Sequence, residues 1–283
     1  MNRTDIAYIV NSTPKYYYLL EAHFGLLNLY ASGMKWPIYF GTETPEEIRL
    51  PSNVNIVHLQ MTDAGFWESR IATIKALPST IKYILPMQED FLLERPGVNW
   101  QNIQNVLDCM DGNPKIISAR LMPCPGPRIN EPLLPGWSAL SELDNYLFTF
   151  QATIWKREYY LDYLKQVVEL AKKRYPNLSN SEWNKMAVNE NLAENSDGRS
   201  IFLKLFKDYI HLAWIRNSKR ANAVYDCPWP YRPTAVVKGV LQAWAQELIE
   251  REGFSSKIIS DKKIDKNDIY QSSNRNPTHF EFY

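Results

Sequence analysis

The chain has 283 residues, 45% hydrophobic and 22% charged, the balance of a globular protein rather than a disordered or membrane-embedded one. Its 32 Lys and Arg against 31 Asp and Glu leave a formal net charge of +1, with no basic stripe such as a phosphate backbone requires, so nucleic acid is not an expected partner. Three dispersed cysteines without CxxC spacing, no run of about 18 apolar residues and no cleavable leader predict a cytoplasmic chain with no transmembrane segment.

The first predicted element is a buried strand over residues 6–10, followed by the polar turn Asn11, Ser12, Thr13 and by Pro14 at a position suited to a helix start. Tyr17, Leu20, Phe24, Leu27 and Ala31 then recur at helical spacing, and Gly33 sits where that helix would stop. Residues 37–40 and 55–59 are short apolar runs between turn formers and read as strands. Ala64, Trp67, Ile71 and Ile74 mark a helix face, and residues 82–87 form another apolar run. This alternation predicts an α/β fold with a mostly parallel central sheet flanked by helices, in which ligands gather at the carboxyl ends of the strands.

Farther on, residues 100–110 read as a helix, 115–121 as a strand and 123–135 as a proline-rich loop. A strand is expected at 146–150, a long helix at about 156–174, a polar helical stretch at 181–194 and a strand at 209–215. Val237, Val240, Leu241, Trp244 and Leu248 form a helical stripe closed by Gly253. The chain divides into a single domain over 1–254 and a polar C-terminal tail over 255–283, whose composition cannot bury enough apolar surface to offset ordering.

Chemistry concentrates in KYILPMQEDFLLERPG, where an apolar strand runs into Gln88, Glu89 and Asp90 before apolar residues resume. A carboxylate at a strand end suits a hard cation, because Mg²⁺ or Mn²⁺ takes one or two carboxylates together with substrate phosphates. The alternative is an acidic pair that simply leaves the sheet for solvent. The four histidines are dispersed without metal-ligand spacing and read as structural or surface residues. No GxSxG, GxxxxGK[ST] or GxGxxG motif is present, which removes the usual signals of serine hydrolases, P-loop enzymes and dinucleotide oxidoreductases.

The strand with QEDF, preceded by WESRIATIKAL, resembles the acidic-motif region of GT-A nucleotide-sugar glycosyltransferases, especially microbial and viral ones with a QED or EDF signature. SARLMPCPGP, then YLFTFQATIWKREYYLDYL, is similar to that family's acceptor-side loop with its following strand and helix, and VVKGVLQAW resembles its closing segment. The resemblance spans roughly residues 5–244. It departs from the family where the usual Asp-any-Asp triplet reads Gln88, Glu89, Asp90, an amide standing in for the first carboxylate.

The resemblance implies a sugar transfer from a nucleotide-diphosphate-sugar donor to a carbohydrate or other hydroxyl acceptor, with Mn²⁺ or Mg²⁺ held by Asp90 and with Glu89 beside the donor. Asn11, Ser12 and Thr13 would meet the nucleotide, though capping of the following helix by Thr13 is an equal alternative. Arg70 would face the donor, or else be a solvated charge on its helix. Gln151 would bind a sugar hydroxyl or serve as a structural amide. An inverting reaction needs a base, for which Glu194 and then Glu190 are candidates, four residues apart on one helical face that is otherwise merely solvated. Two rival readings are a metal-dependent nucleotidyltransferase, against which the absence of a Gly-rich basic loop in VNSTPKYYY speaks, and a non-catalytic carbohydrate-binding or scaffolding protein on the same fold.

Overall fold

The strand β1 (Ile6–Asn11) is buried along its whole length, and its side chains divide between two cores. Ile6, Tyr8 and Val10 join one cluster, while Ala7 and Ile9 join the other, so both faces of the sheet are covered and the strand reads as a continuous apolar run. In the computed structural model the described residues are 3–61, 65–122, 131–140, 149–174, 176–177, 220–224, 228–232, 234–237, 239–254 and 264–265.

A 3₁₀ turn at Pro14–Leu19 leads into α1 (Leu20–Tyr30), then β2 (Ile38–Thr42) and β3 (Val54–His58). Helix α2 (Phe66–Ala76), strands β4 (Tyr83–Gln88) and β5 (Leu92–Leu93), helix α3 (Trp100–Gly112) and strand β6 (Ile116–Arg120) follow. Next come β7 (Pro132–Leu134), β8 (Trp137–Ala139), β9 (Thr153–Lys156), α4 (Arg157–Arg174) and β10 (Arg220–Val224). The last elements are β11 (Tyr231–Arg232), β12 (Val236–Val237), β13 (Val240–Gln242), α5 (Ala243–Arg251) and β14 (Ile264–Asp265).

The main sheet has the order β3-β2-β1-β4-β9-β6-β10-β8-β7. Strands β3, β2, β1 and β4 are parallel, β9 is antiparallel to both β4 and β6, and β10 is parallel to β6. One reversed strand therefore sits inside a sheet whose other central strands share a direction, which is the α/β architecture expected from the alternation. Leu26 of α1, Val106 of α3 and Leu248 of α5 pack in the core of one face. Trp67 and Ile74 of α2, with Tyr163, Leu164 and Val167 of α4, fill the other.

Several expectations need correction. Thr149 and Phe150 lie outside any strand, and the reversed strand is TIWK at Thr153–Lys156, where a β-branched pair and Trp155 fill inward positions. The stripe from Val237 to Leu248 is not one helix: Gly239, with φ 80°, turns β12 into β13, and the helix begins only at Ala243. Apolar residues spaced three and four apart here belong to a hairpin and then a helix, which share no period. The proline-rich stretch closes as β7, hairpinned to β8 with Gly136 at φ 82°. The helix expected at 181–194, the strand at 209–215 and most of the tail lie outside the described residues, although Ile264–Asp265 pairs in parallel with Leu241–Gln242. No helix among the described residues is long and apolar enough to cross a membrane.

Candidate active site

Strand order reverses at β1: β2 and β3 extend to one side and β4 lies on the other. A crevice opens where such a reversal occurs, outside the carboxyl ends of the two strands. Asn11, the last residue of β1, is in register with Gln88, the last of β4. Ser12 and Thr13 thus leave one wall of the crevice as Glu89 and Asp90 leave the other.

Glu89 and Asp90 are the two central residues of a tight turn, closed by the Phe91 N–H donating to the Gln88 carbonyl at 3.1 Å. Each is only 8% exposed, so the pair does not run out into solvent. Burial raises the Glu89 carboxyl above its usual range and the neighbouring Asp90 charge adds to this; its own backbone amide, Arg70 and the Ser12 hydroxyl work in the opposite direction. Burial likewise raises Asp90, opposed by hydrogen bonds from the Val236 amide and from its own. Asp90 Oδ1 is buried with no hydrogen-bond partner.

The turn is held from below by a histidine. His23 Nδ1 lies 3.1 Å from the Glu89 carbonyl, which can only accept, so Nδ1 carries the proton; Nε2 is then bare and accepts from the Tyr8 hydroxyl at 3.0 Å. Burial pushes this imidazole down to about 4, which keeps it neutral. Tyr18 lies close enough to feel the pair, its phenol pushed up to about 12 by burial first, then by Tyr16, Asp90 and Glu89.

The expected site residues separate into groups. Asn11, Ser12, Arg70, Glu89 and Asp90 come together at this edge of the sheet. The Asn11 amide nonetheless faces inward, donating to Thr73 Oγ1 at 2.7 Å and tying β1 to α2. Thr13 precedes the first helical turn without any side-chain capping bond. Arg70 is not a solvated charge: it is 7% exposed, donates to the Phe66 carbonyl at 2.9 Å and stacks over the Phe66 ring at 3.5 Å. Gln151 lies two residues before the reversed strand, hence toward the same sheet edge, and its Oε1 accepts from the Tyr231 hydroxyl at 2.7 Å. Glu190 and Glu194 lie outside the described residues.

Sequence reasoning missed Thr73, Tyr18 and the contribution of residues 234–236, and its reading of His23 as a structural or surface residue did not foresee that the ring holds the acidic turn. Gly41 was one available signal, because a Cβ there would stand 2.1 Å from Thr73 Oγ1 and 2.5 Å from Asn11 Nδ2. Arg120, 2% exposed at the carboxyl end of β6, is another buried charge on this edge that no local pattern announced.

No family model matches the chain, and no curated protein matches its sequence. Among solved structures, TarS 1–349 from S. aureus is 12% identical over 81% of this chain and 59% of that one, with a TM-score of 0.41. The apo form of glycosyltransferase GlyE from Streptococcus pneumoniae TIGR4 is 12% identical over 94% of this chain and 66% of that one, also at 0.41. The 4-diphosphocytidyl-2C-methyl-D-erythritol synthase of Anaerococcus prevotii DSM 20548 is 11% identical over 72% and 98% of the two chains, at 0.35. The chain spans less than two thirds of TarS 1–349 and of GlyE. Likeness at this level fixes neither fold nor activity; the architecture stands on the strand order and register described above.

A hard divalent cation fits the donors at this edge in kind, since Asp90 offers a buried carboxylate oxygen without a partner and Glu89 a second carboxylate beside it. No group of three or more His, Cys, Asp or Glu placed to hold a metal occurs among the described residues, so such an ion would complete its shell with phosphate oxygens and water.

Proposed function

We propose that this chain is a nucleotide-sugar-dependent glycosyltransferase of the GT-A type, transferring a sugar from a nucleotide-diphosphate donor to a hydroxyl acceptor. The observation that carries the reading is the pair Glu89 and Asp90, buried in a turn at the switch point between β1 and β4, with Asp90 Oδ1 lacking a partner. Two carboxyls side by side, one of them with an unpartnered oxygen, are costly to bury, and a site that binds a cation with a diphosphate gives that cost a use.

In this reading Asp90, with Glu89 beside it, holds Mn²⁺ or Mg²⁺, which when bound neutralises charge developing on the diphosphate leaving group. Arg70 adds a fixed positive charge close to Glu89. Ser12 and the backbone following β1 border the space for the nucleotide. The acceptor hydroxyl must lose its proton as it attacks, and Glu194, with Glu190 as the second choice, is the proposed base. The GT-A resemblance of QEDF supports the donor class.

The test is release of nucleoside diphosphate from a panel of donor sugars with Mn²⁺ present. Turnover of at least one donor that falls a hundredfold or more in a folded Asp90→Asn protein is the expected result. Turnover unchanged by Asp90→Asn, or none with any donor, would overturn the reading.

A further inference from the structure

Strand β11 pairs antiparallel with β5 through Tyr231↔Leu93 and Arg232↔Leu92. Continuing that register would set Thr234 opposite Asp90. The observed partner is one residue later: the Ala235 N–H donates to the Asp90 carbonyl at 2.8 Å, and the Val236 N–H donates to the Asp90 carboxyl group. One extra residue has therefore entered the strand facing Asp90, as in a β-bulge, and that residue is Thr234.

Its backbone bears this out. Thr234 has φ 64°, the one left-handed non-glycine value among the described residues, and a β-branched side chain makes that conformation costly. Such geometry persists only where the surroundings over-determine it, and it clusters at functional sites. Here the surroundings are specific. Ala235 is fully buried, its carbonyl accepts from the Gln242 N–H at 2.8 Å, and Val236 pairs with Leu241 across the hairpin. The hairpin is thereby locked, and two successive amides are delivered to one residue from a segment far along the chain.

We propose that Thr234 is a positioning residue for Asp90: its left-handed backbone admits the extra residue that brings the Ala235 and Val236 amides onto Asp90, fixing the carboxyl group with the buried Oδ1 left unpartnered as the oxygen for a divalent cation. The inference rests on Asp90 being a cation ligand, as in the proposed function, and adds a residue 144 positions away that no motif marks. Only the backbone conformation is required of Thr234, so glycine, which adopts a positive φ readily, replaces it without loss. Proline, locked near a φ of about −65°, cannot replace it.

Mn²⁺ titration calorimetry on the full chain tests this, with Asp90→Asn, Thr234→Gly and Thr234→Pro compared by circular dichroism for folding. The expected results are Mn²⁺ affinity lowered at least tenfold by Asp90→Asn and by Thr234→Pro, and kept within about threefold by Thr234→Gly. Affinity untouched by Asp90→Asn, or no Mn²⁺ binding by the parent chain, overturns the cation reading and this inference with it. Binding that depends on Asp90 yet survives in Thr234→Pro overturns the positioning role alone. If Thr234→Pro does not fold, Thr234→Gly decides: a loss beyond about threefold means the threonine side chain, rather than the left-handed backbone, is what matters, and the proposal falls.

Discussion

His23 and Glu89 are joined through the backbone, the imidazole Nδ1–H donating to the Glu89 carbonyl at 3.1 Å, so a neutral buried ring carries the turn that presents the acidic pair. The folded-state pKa of His23 is depressed to about 4, whereas an unfolded chain takes up the proton near its usual value of about 6.5. Stability from this residue is therefore present above about pH 6.5 and is lost as pH falls toward 4. His23→Leu should cost about 2–4 kcal/mol at pH 7.5, because the Tyr8 hydroxyl and the Glu89 carbonyl both lose a partner. That deficit should shrink at pH 4.5 in urea denaturation; a deficit constant with pH would contradict a neutral His23.

The acidic pair has the opposite sign. Glu89 and Asp90 have folded-state pKa values raised by burial, so their native forms hold protons that the unfolded chain has released. Stability is full below the ordinary carboxylate range of about 4 and declines as pH rises through the raised values. In the presence of a chelator, Asp90→Asn should be about 1 kcal/mol or more stabler than the parent at pH 7.5, with no difference near pH 3.5. Thermal melts at the two pH values measure this, and an Asp90→Asn protein less stable at pH 7.5 would argue that the pair is not under electrostatic load.

Gly41 leaves the space that the Asn11–Thr73 hydrogen bond occupies. A Cβ at Gly41 would come within 2.1 Å of Thr73 Oγ1 and 2.5 Å of Asn11 Nδ2, so Gly41→Ala must break that bond or shift α2 away from β1. The expected loss is about 1–3 kcal/mol, typical of overpacking, and Gly41→Ala with Thr73→Ala should recover part of it. Denaturation midpoints of the single and double variants give the answer. Full tolerance of Gly41→Ala would mean the two elements are not rigidly joined.

Arg157, the first residue of α4, donates to four carbonyls around the end of α2: Ile74 and Leu77 at 2.9 Å, Pro78 at 2.7 Å and Ile81 at 3.4 Å. A helix leaves its last carbonyls unpaired, and a planar guanidinium satisfies several at once. Arg157→Ala should lower stability by about 1–3 kcal/mol, and Arg157→Lys should restore less than half of that. Equal stability of the Lys variant and the parent would show that charge at the helix end suffices without the fork.

Local sequence determined those elements whose signal lies within a few residues. The apolar run of β1 and the stripe containing Leu20, Phe24 and Leu27 in α1 were legible because period and burial coincide there, and the acidic pair following β4 because it interrupts an apolar run. Tertiary structure decided the rest. TIWK, rather than Thr149 and Phe150, became the reversed strand because β4 and β6 bracket it on both sides. The stripe from Val237 to Leu248 broke into a hairpin and a helix because Gly239 turns the chain and Asp90 captures the amides of Ala235 and Val236. Likewise, whether Arg70 faced solvent or lay buried depended on Phe66 and Phe150 closing over it. Hydrogen bonds between residues far apart in sequence leave no local period, so the chain announced the acidic pair, and only the fold determined what holds it.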